Sequence, residues 1–119
     1  MLKEMISAFI KEVESIEGVA ACALVSRDGI IAGKQFDRDL NEPWFGALSA
    51  TILASAESVG SIIRAKTLGS VTIRAGDASI IIMGAGENFL IAAITSDNAD
   101  PARILSPMLA VAQKIREAM

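Results

Sequence analysis

The stretch from Pro43 to Arg64 constrains this chain most, because it is the longest run that can form a single element. At helical period its larger apolar residues fall on one stripe, which predicts a helix packed against a core. The first stripe is Phe45, Leu48, Ile52, Ala56, Val59 and Ile63; a second, the small-residue stripe, is Ala47, Thr51, Ala54, Ser58 and Ser61. Because small side chains let two backbones approach closely, we expect the small-residue stripe to seat the same helix of a second copy. Contact with a loop of the same chain is the alternative.

The composition favours one domain that associates with a second copy of itself. The chain has 119 residues, of which 52% are apolar and only 4% aromatic. Its mean hydropathy is +0.48, so a single domain of this size would leave apolar surface exposed as a monomer. The net charge is −3 and the lysines and arginines are scattered, which disfavours nucleic acid as a partner. We therefore predict a homodimer.

The chain is expected in the cytoplasm. Cys22 is the single cysteine and cannot form an intrachain disulfide, which fits a reducing compartment. Charged residues interrupt the first apolar run, so no signal peptide is expected. The most apolar stretch, Ala78 to Ile94, has Glu87 and two glycines in its middle. That pattern predicts two strands and a turn rather than a membrane span.

The first part of the chain predicts a helix followed by a hairpin. Apolar residues recur at three- and four-residue steps from Leu2 to Ile16, which indicates an amphipathic helix that Gly18 ends. The strand from Val19 to Val25 is apolar on both alternating faces, which predicts cover on both sides of the sheet. Turn residues from Ser26 to Gly29 then lead into a second strand, Ile30 to Phe36.

The part after the long helix predicts three strands and a last helix. Leu68 to Ala75 alternates between apolar and polar residues, and the next strands are Ser79 to Met83 and Phe89 to Thr95. Asp100 is expected to cap a helix that has Pro101 at its first position. The predicted core stripe of this helix is Ile104, Leu105, Met108, Val111, Ala112 and Ile115.

These elements make one α+β domain, with the long helix on one face of the sheet and the two terminal helices on the other. The half-polar strand Leu68 to Ala75 belongs at an edge, where its unpaired backbone groups invite a second chain. Antiparallel pairing of two such edges would bring the two long helices side by side. The predicted dimer interface is therefore the small-residue stripe together with Leu68, Ser70, Val71, Thr72, Ile73 and Arg74.

No motif in the sequence predicts catalysis, a cofactor or a metal. In the segment from Gly29 to Gln35, the two glycines Gly29 and Gly33 are too close together for a phosphate-binding loop. The pair at Gly84 and Gly86 leads into a strand rather than a helix, which disfavours a dinucleotide-binding site. Histidine is absent, so Cys22 has no imidazole to activate it and is expected to be a buried core thiol.

Two carboxylate pairs are conceivable metal ligands: Asp37 with Asp39, and Asp97 with Asp100. Each pair lies in a loop beside turn formers or a helix start, where aspartate is expected for capping, and neither loop has calcium-loop spacing. Capping is therefore the preferred interpretation.

Trp44 is the single tryptophan and stands at the start of the long helix. On the helical wheel it lies beside Ala47 and Thr51, which belong to the small-residue stripe. Aromatic anchors are enriched at interfaces, so an interface role and a core role both stay open at this stage.

The order of these elements resembles the Roadblock family, the dynein light chain roadblock type of domain that also occurs as stand-alone prokaryotic proteins. The resemblance covers nearly the whole chain and is carried by Ile16 to Val19, Ser26 to Gly29, Phe45 to Val59, Leu68 to Ile73, and Phe89 to Ile91. It implies a profilin-like, three-layer α/β/α fold with a five-stranded antiparallel sheet in the order 2-1-5-4-3. It also implies homodimers joined through the third strand and the long helix, and a role in binding and regulating Ras-like small GTPases.

Three functions follow as hypotheses. The first is a homodimeric scaffold, not an enzyme, that docks a small GTPase on the layer of paired long helices and modulates its nucleotide cycle or localisation. The expected docking residues are Glu42, Trp44, Glu57, Arg64 and Lys66. The second is a small-ligand sensor or enzyme with a pocket between sheet and helix. The third is a purely structural adaptor that leaves the nucleotide cycle unchanged.

Overall fold

A computed structural model describes residues 1–65 and 69–119. Within these residues the chain forms three helices and five strands. In chain order they are α1 (Leu2–Glu14), β1 (Val19–Ser26), β2 (Ile31–Gln35), α2 (Glu42–Ile62), β3 (Val71–Ala75), β4 (Ala78–Ala85), β5 (Phe89–Thr95) and α3 (Pro101–Ala118). The strands make one antiparallel sheet in the order β2-β1-β5-β4-β3, so the predicted α+β class and strand order are confirmed.

Local chemistry sets the ends of these elements. Asn41 accepts a hydrogen bond from the backbone N–H of Trp44 at 3.1 Å and so caps α2. Asp100 caps α3 in the same way through the N–H of Ala102 at 3.0 Å, as predicted. After α1 the chain passes through Gly18 at φ +98°, a conformation that glycine adopts without strain.

The two faces of the sheet are covered as the sequence predicts. On one face, α1 and α3 bury a large cluster that includes Val13, Leu24, Ile91 and Met108. On the other face, α2 covers a smaller cluster centred on Leu53. Of the predicted α3 stripe, five residues are buried and Leu105 is half-buried. Of the predicted α1 stripe, Leu2 and Met5 at the beginning of the helix are exposed.

The prediction for the core face of α2 is correct for Phe45 and Ile52, which pack against the core cluster, and wrong for Leu48, Val59 and Ile63, which are exposed. The helix buries Gly46, Ser49, Ala50 and Leu53. Of the six residues predicted for its core stripe, Phe45, Ile52 and Ala56 are half-buried, and Leu48, Val59 and Ile63 are exposed. The physical reason is that α2 is apolar around much of its circumference, so periodicity alone does not choose which side meets the sheet.

Several boundaries also differ from the predicted ones. Strand β2 begins one residue after Ile30, α2 ends before Arg64, and β3 begins at Val71. The predicted start of β3 at Leu68 lies outside the described residues.

The two edges of the sheet differ in regularity. The pairing of β1 with β2 is interrupted: Leu24 of β1 pairs with Gly33, whereas the next residue, Val25, pairs with Ile31. Ala32 of β2 is therefore the extra residue of a β-bulge. In β3 the pairing with β4 runs unbroken from Val71 to Ala75. Because bulges discourage edge-to-edge association, β3 is the edge better suited to pair with another strand.

Candidate interaction surface

Helix α2 is held close to the sheet by two glycines. Gly46 lies on the β1–β2 turn so closely that a Cβ at this position would stand 2.5 Å from the carbonyl oxygen of Gly29. Gly29 has φ +91°, and a Cβ there would stand 2.8 Å from the Cα of Ala47. This contact fixes the rotation of α2, so that its small-residue stripe is turned away from the sheet.

All five residues of the small-residue stripe are exposed: Ala47, Thr51, Ala54, Ser58 and Ser61. Thr51 donates its hydroxyl to the Ala47 carbonyl at 2.9 Å, and Ser61 donates to the Glu57 carbonyl at 3.2 Å. These hydroxyls are thus used within the helix, which lowers the polarity of the surface that a partner would meet. Ala47 lies against the β1–β2 turn at Gly29, so the alternative prediction, contact with a loop of the same chain, holds at this end of the stripe; the exposure of the other four residues argues against it there.

Larger apolar side chains extend this exposed surface of α2. We call the outer face of α2 the small-residue stripe together with Trp44, Leu48, Val59, Ile62 and Ile63. Trp44 is 63% exposed and Ile62 is 79% exposed, so the core interpretation of Trp44 is wrong. A soluble domain that leaves such a continuous apolar face uncovered is expected to bury it against a partner.

Strand β3 is a free edge of the sheet, and its apolar side chains lie on the sheet face that α2 covers. Val71 and Ile73 are half-buried and pack toward the cluster under α2, whereas Thr72 and Arg74 are exposed on the opposite face of the sheet. Ser70, just before the strand, is half-buried, and Leu68 lies outside the described residues. The structure therefore combines a regular open edge strand with an uncovered helix face, and the apolar side chains of that strand lie on the sheet face that α2 covers.

Two of the charged residues predicted to dock a GTPase have ion-pair partners in their own chain. Glu42 pairs with Lys34 of β2. Glu57 accepts a hydrogen bond from Nη1 of Arg27 at 2.9 Å. Both pairs tie α2 to the hairpin below it and remain partly exposed.

The five predicted docking residues do not form one cluster within a protomer. Glu42 and Trp44 stand in the first turn of α2, whereas Glu57 lies thirteen residues further along, a distance of about 20 Å at the helical rise per residue. Arg64 follows the end of the helix at φ +62°, and Lys66 lies outside the described residues. Any surface that uses all five residues must extend along the whole helix.

Arg27 connects α2 to two turns of the sheet. Its Nη1 bonds to Glu57 and its Nη2 donates to the carbonyl oxygen of Gly86 at 2.8 Å. The guanidinium lies over Gly84, where a Cβ would stand 2.7 Å from Nη2. The second half of α2 is thus fastened to the β1–β2 turn and to the β4–β5 turn.

Some surface residues were missed by the sequence reasoning. Ile30 is 68% exposed in the β1–β2 turn and helps to line a groove beside Glu42 and Pro43 at the start of α2. The sequence pattern places it in a strand because it continues the apolar run of β2. The exposure of Leu48, Val59 and Ile63 has no signal in the sequence, because it depends on the contact between Gly29 and Gly46, which only the folded chain brings together.

Cys22 is fully buried in β1. Burial, with a smaller contribution from the charge of Glu14, raises the pKa of its thiol to about 12. Its Sγ donates a weak hydrogen bond to the Ile10 carbonyl at 3.7 Å. The thiol is therefore a core group, as predicted, and is not suited to nucleophilic chemistry.

By length and composition alone, α2 is also apolar enough to cross a membrane. In this fold, however, Ala50 and Leu53 pack the helix onto the sheet. A membrane-spanning arrangement would have to expose that cluster, which α2 covers in this fold.

Comparison with known proteins identifies this architecture. The Roadblock/LC7 domain family matches residues 5–95. Among curated proteins, none matches the sequence.

Solved structures match over nearly the full chain. MglB from Myxococcus xanthus aligns with a TM-score of 0.85 at 10% identity, covering 96% of this chain and 94% of that one. An MglB structure described as having a tetrameric arrangement aligns with a TM-score of 0.84 at 13% identity, covering 96% and 87%. Profilin II from Acanthamoeba castellanii aligns with a TM-score of 0.61 at 19% identity, covering 91% and 96%. These likenesses confirm the profilin-like fold, and the family match covers more than half of the sequence. The chain belongs to the Roadblock/LC7 domain family.

Proposed function

We propose that two copies of this chain pair through β3 and the small-residue stripe of α2, and that the pair binds and regulates a Ras-like small GTPase in the cytoplasm. One observation carries the proposal: the regular free strand β3 has its apolar side chains on the sheet face that α2 covers, and α2 leaves an apolar face of its own exposed. Roadblock/LC7 domains are in general binding modules rather than enzymes. The proposed role is therefore to present a surface to the GTPase.

The geometry of pairing follows from the edge strand. When two β3 strands pair antiparallel about a two-fold axis perpendicular to the sheet, the same face of each sheet stays on the same side. The two α2 helices then lie in one layer, beside each other. Close approach requires small side chains at the crossing, which the small-residue stripe provides. The tetrameric arrangement described for one MglB structure supports self-association of this fold.

The proposed interface within each copy has two parts. One is the small-residue stripe: Ala47, Thr51, Ala54, Ser58 and Ser61. The other is the edge segment, with Ser70, Val71, Thr72, Ile73 and Arg74 among the described residues and Leu68 outside them. The backbone of β3 supplies hydrogen bonds, and the side chains of α2 supply apolar contact.

The GTPase is proposed to dock along the exposed ridge of the two α2 helices through Glu42, Trp44, Glu57, Arg64 and Lys66. Trp44 is the expected anchor, because an exposed tryptophan can bury a large apolar area in a partner pocket. Glu42 and Glu57 keep one side of their carboxylates accessible beside their intrachain partners. The likeness to MglB and the resemblance to GTPase-binding Roadblock proteins support this choice of partner.

Binding to small GTPases encoded beside this chain tests the proposal. Each GTPase is immobilised in its GDP form and in a GTP-analogue form, and association of the full chain is followed by biolayer interferometry. We expect binding that depends on the nucleotide state. The Trp44→Ala variant should weaken it by about tenfold or more.

The matched control is Leu2→Ala, which truncates a 58% exposed apolar side chain on α1, a helix on the opposite face of the sheet from α2. This variant should bind as the unchanged chain does. Absence of state-dependent binding to every GTPase tested would contradict the proposal. Tight binding with unchanged GTP hydrolysis and exchange would instead support the purely structural adaptor.

A further inference from the structure

The other edge of the sheet carries a second surface, on the side of the molecule opposite β3. A groove of about 350 Å³ runs between α1 and β2. Its floor is apolar, because Gly33 has no side chain and Ile6 and Ile10 pack directly onto its backbone. A Cβ at Gly33 would stand 2.5 Å from Cγ2 of Ile6, so glycine at this position lets α1 lie low and leaves the groove open beside it.

The rim of the groove is basic in an acidic protein. The chain has a net charge of −3, yet three lysines line this groove: Lys3, Lys11 and Lys34. Glu14 is the one carboxylate among the described residues that line it. Lys34 is paired with Glu42, whereas Lys3 and Lys11 have no ion-pair partner within residues 1–65 and 69–119. Their ammonium groups are therefore available to an anionic partner.

The spacing of these lysines along α1 indicates which kind of anionic partner would fit the groove. Lys3, Ser7 and Lys11 follow one another at four-residue steps along the flank of α1 that faces β2. The Cα atoms of Lys3 and Lys11 are about 12 Å apart at the helical rise per residue. An extended peptide covers that distance in three to four residues. The bulge at Ala32 in β2 leaves backbone groups unpaired beside the groove, which an extended backbone can satisfy.

We propose that the α1–β2 groove binds an extended acidic segment of another protein, with two carboxylates three or four residues apart and a small apolar side chain between them. The carboxylates meet Lys3 and Lys11, and the apolar side chain lies on Ile6 and Ile10. A lipid surface fits less well, because the groove is concave and Glu14 lies in its rim. This site is independent of the β3 edge and stays open in the proposed dimer.

A synthetic peptide of about ten residues tests this proposal, because that length spans the groove in extended form. The probe is acetylated and amidated, alternates valine with threonine, and carries two glutamates four residues apart. It is titrated into the ¹⁵N-labelled full chain, and amide chemical shifts are followed by NMR. We expect shifts confined to α1, from Lys3 to Lys11, and to β2, with affinity that falls as salt is added. A peptide with lysines in place of the glutamates should cause none.

Charge reversal provides the discriminating variants. Lys3→Glu combined with Lys11→Glu should weaken peptide binding by about tenfold or more, since both residues are exposed and their replacement leaves the fold intact. The control pair, Arg103→Glu with Arg116→Glu, makes the same charge change on exposed positions of α3 and should leave binding unchanged.

Three results would overturn the proposal: peptide binding that survives the charge reversal, peptide-induced shifts located elsewhere, and no shift with any acidic peptide at millimolar concentration. Preferential binding of the chain to phosphatidylserine vesicles, lost in the same double variant, would also overturn it in favour of a membrane surface.

Discussion

Gly29 and Gly46 meet backbone to backbone: a Cβ on Gly46 would stand 2.5 Å from the Gly29 carbonyl oxygen. This contact seats α2 on the sheet with Leu53 inward and with Leu48 and Val59 exposed. The orientation of the proposed interface therefore depends on two residues without side chains, neither of which belongs to that interface.

Replacing Gly46 with alanine should destabilise the fold. The new methyl group would collide with backbone that cannot move aside cheaply, and overpacking of this kind lowers the free energy of unfolding by about 1–3 kcal/mol. Urea denaturation followed by circular dichroism measures the change.

Gly60→Ala in the same helix is the control for that substitution. No atom lies within 4 Å of a Cβ at Gly60, so helix propensity should dominate and the variant should be unchanged or more stable by up to about 1 kcal/mol. Equal destabilisation by both substitutions would contradict the tight contact between Gly29 and Gly46.

The Arg27 guanidinium should contribute to stability through its two simultaneous hydrogen bonds. Arg27→Lys cannot hold Glu57 and the Gly86 carbonyl at once, so we expect the free energy of unfolding to fall by about 1–2 kcal/mol. Arg38→Lys is the matched control, because within residues 1–65 and 69–119 Arg38 pairs only with its exposed neighbour Asp37, and its change should stay below about 0.5 kcal/mol. A smaller loss for Arg27→Lys than for Arg38→Lys would show that Arg27 does not fasten α2.

Burial of Cys22 should make stability fall at alkaline pH. The pKa of the thiol rises from an ordinary value of 9.0 to about 12 in the folded chain, so between these values the unfolded chain loses a proton that the folded chain keeps. Stability attributable to this thiol is therefore constant below about pH 9 and declines above it, by up to about 1.4 kcal/mol per pH unit.

Comparison with Cys22→Ala isolates that effect from the titration of lysines. Unfolding free energies of both proteins are measured in urea from about pH 8 to about pH 10.5, across the unfolded pKa. The unchanged chain should lose stability more steeply above about pH 9 than the variant. Parallel curves would mean that the thiol ionises equally in both states.

The fold was largely predictable because its strongest signals are local. Three of these signals are the apolar spacing of α1 and α3, the helix cap at Asp100, and strand β1, which is apolar on both faces. Each can be read from neighbouring residues in the sequence. The strand order came from the family resemblance, since pairing between distant strands has no local signal. The edge position of β3, in contrast, could be read from its own alternation of apolar and polar residues, which indicated exposure on one face.

The sequence pattern failed where tertiary contact decides the outcome. Helix α2 is apolar on adjoining sides, so the pattern did not show that Leu48 and Val59 would be exposed and Ala50 buried. The deciding contact joins Gly29 and Gly46, seventeen positions apart in the chain. The bulge at Ala32 was missed for a similar reason, because it depends on the register between two strands rather than on either strand alone.

Sedimentation velocity on the unchanged chain and on Ala54→Arg tests the central claim most directly. Ala54 is exposed in the middle of the small-residue stripe, so an arginine there should keep the two α2 helices apart. The control is Ala110→Arg, which places the same side chain at an exposed position of α3. We predict a dimer at micromolar concentration for the unchanged chain and for Ala110→Arg, and a folded monomer for Ala54→Arg. A monomeric unchanged chain, or a dimer that Ala54→Arg leaves intact, would contradict pairing through the small-residue stripe of α2.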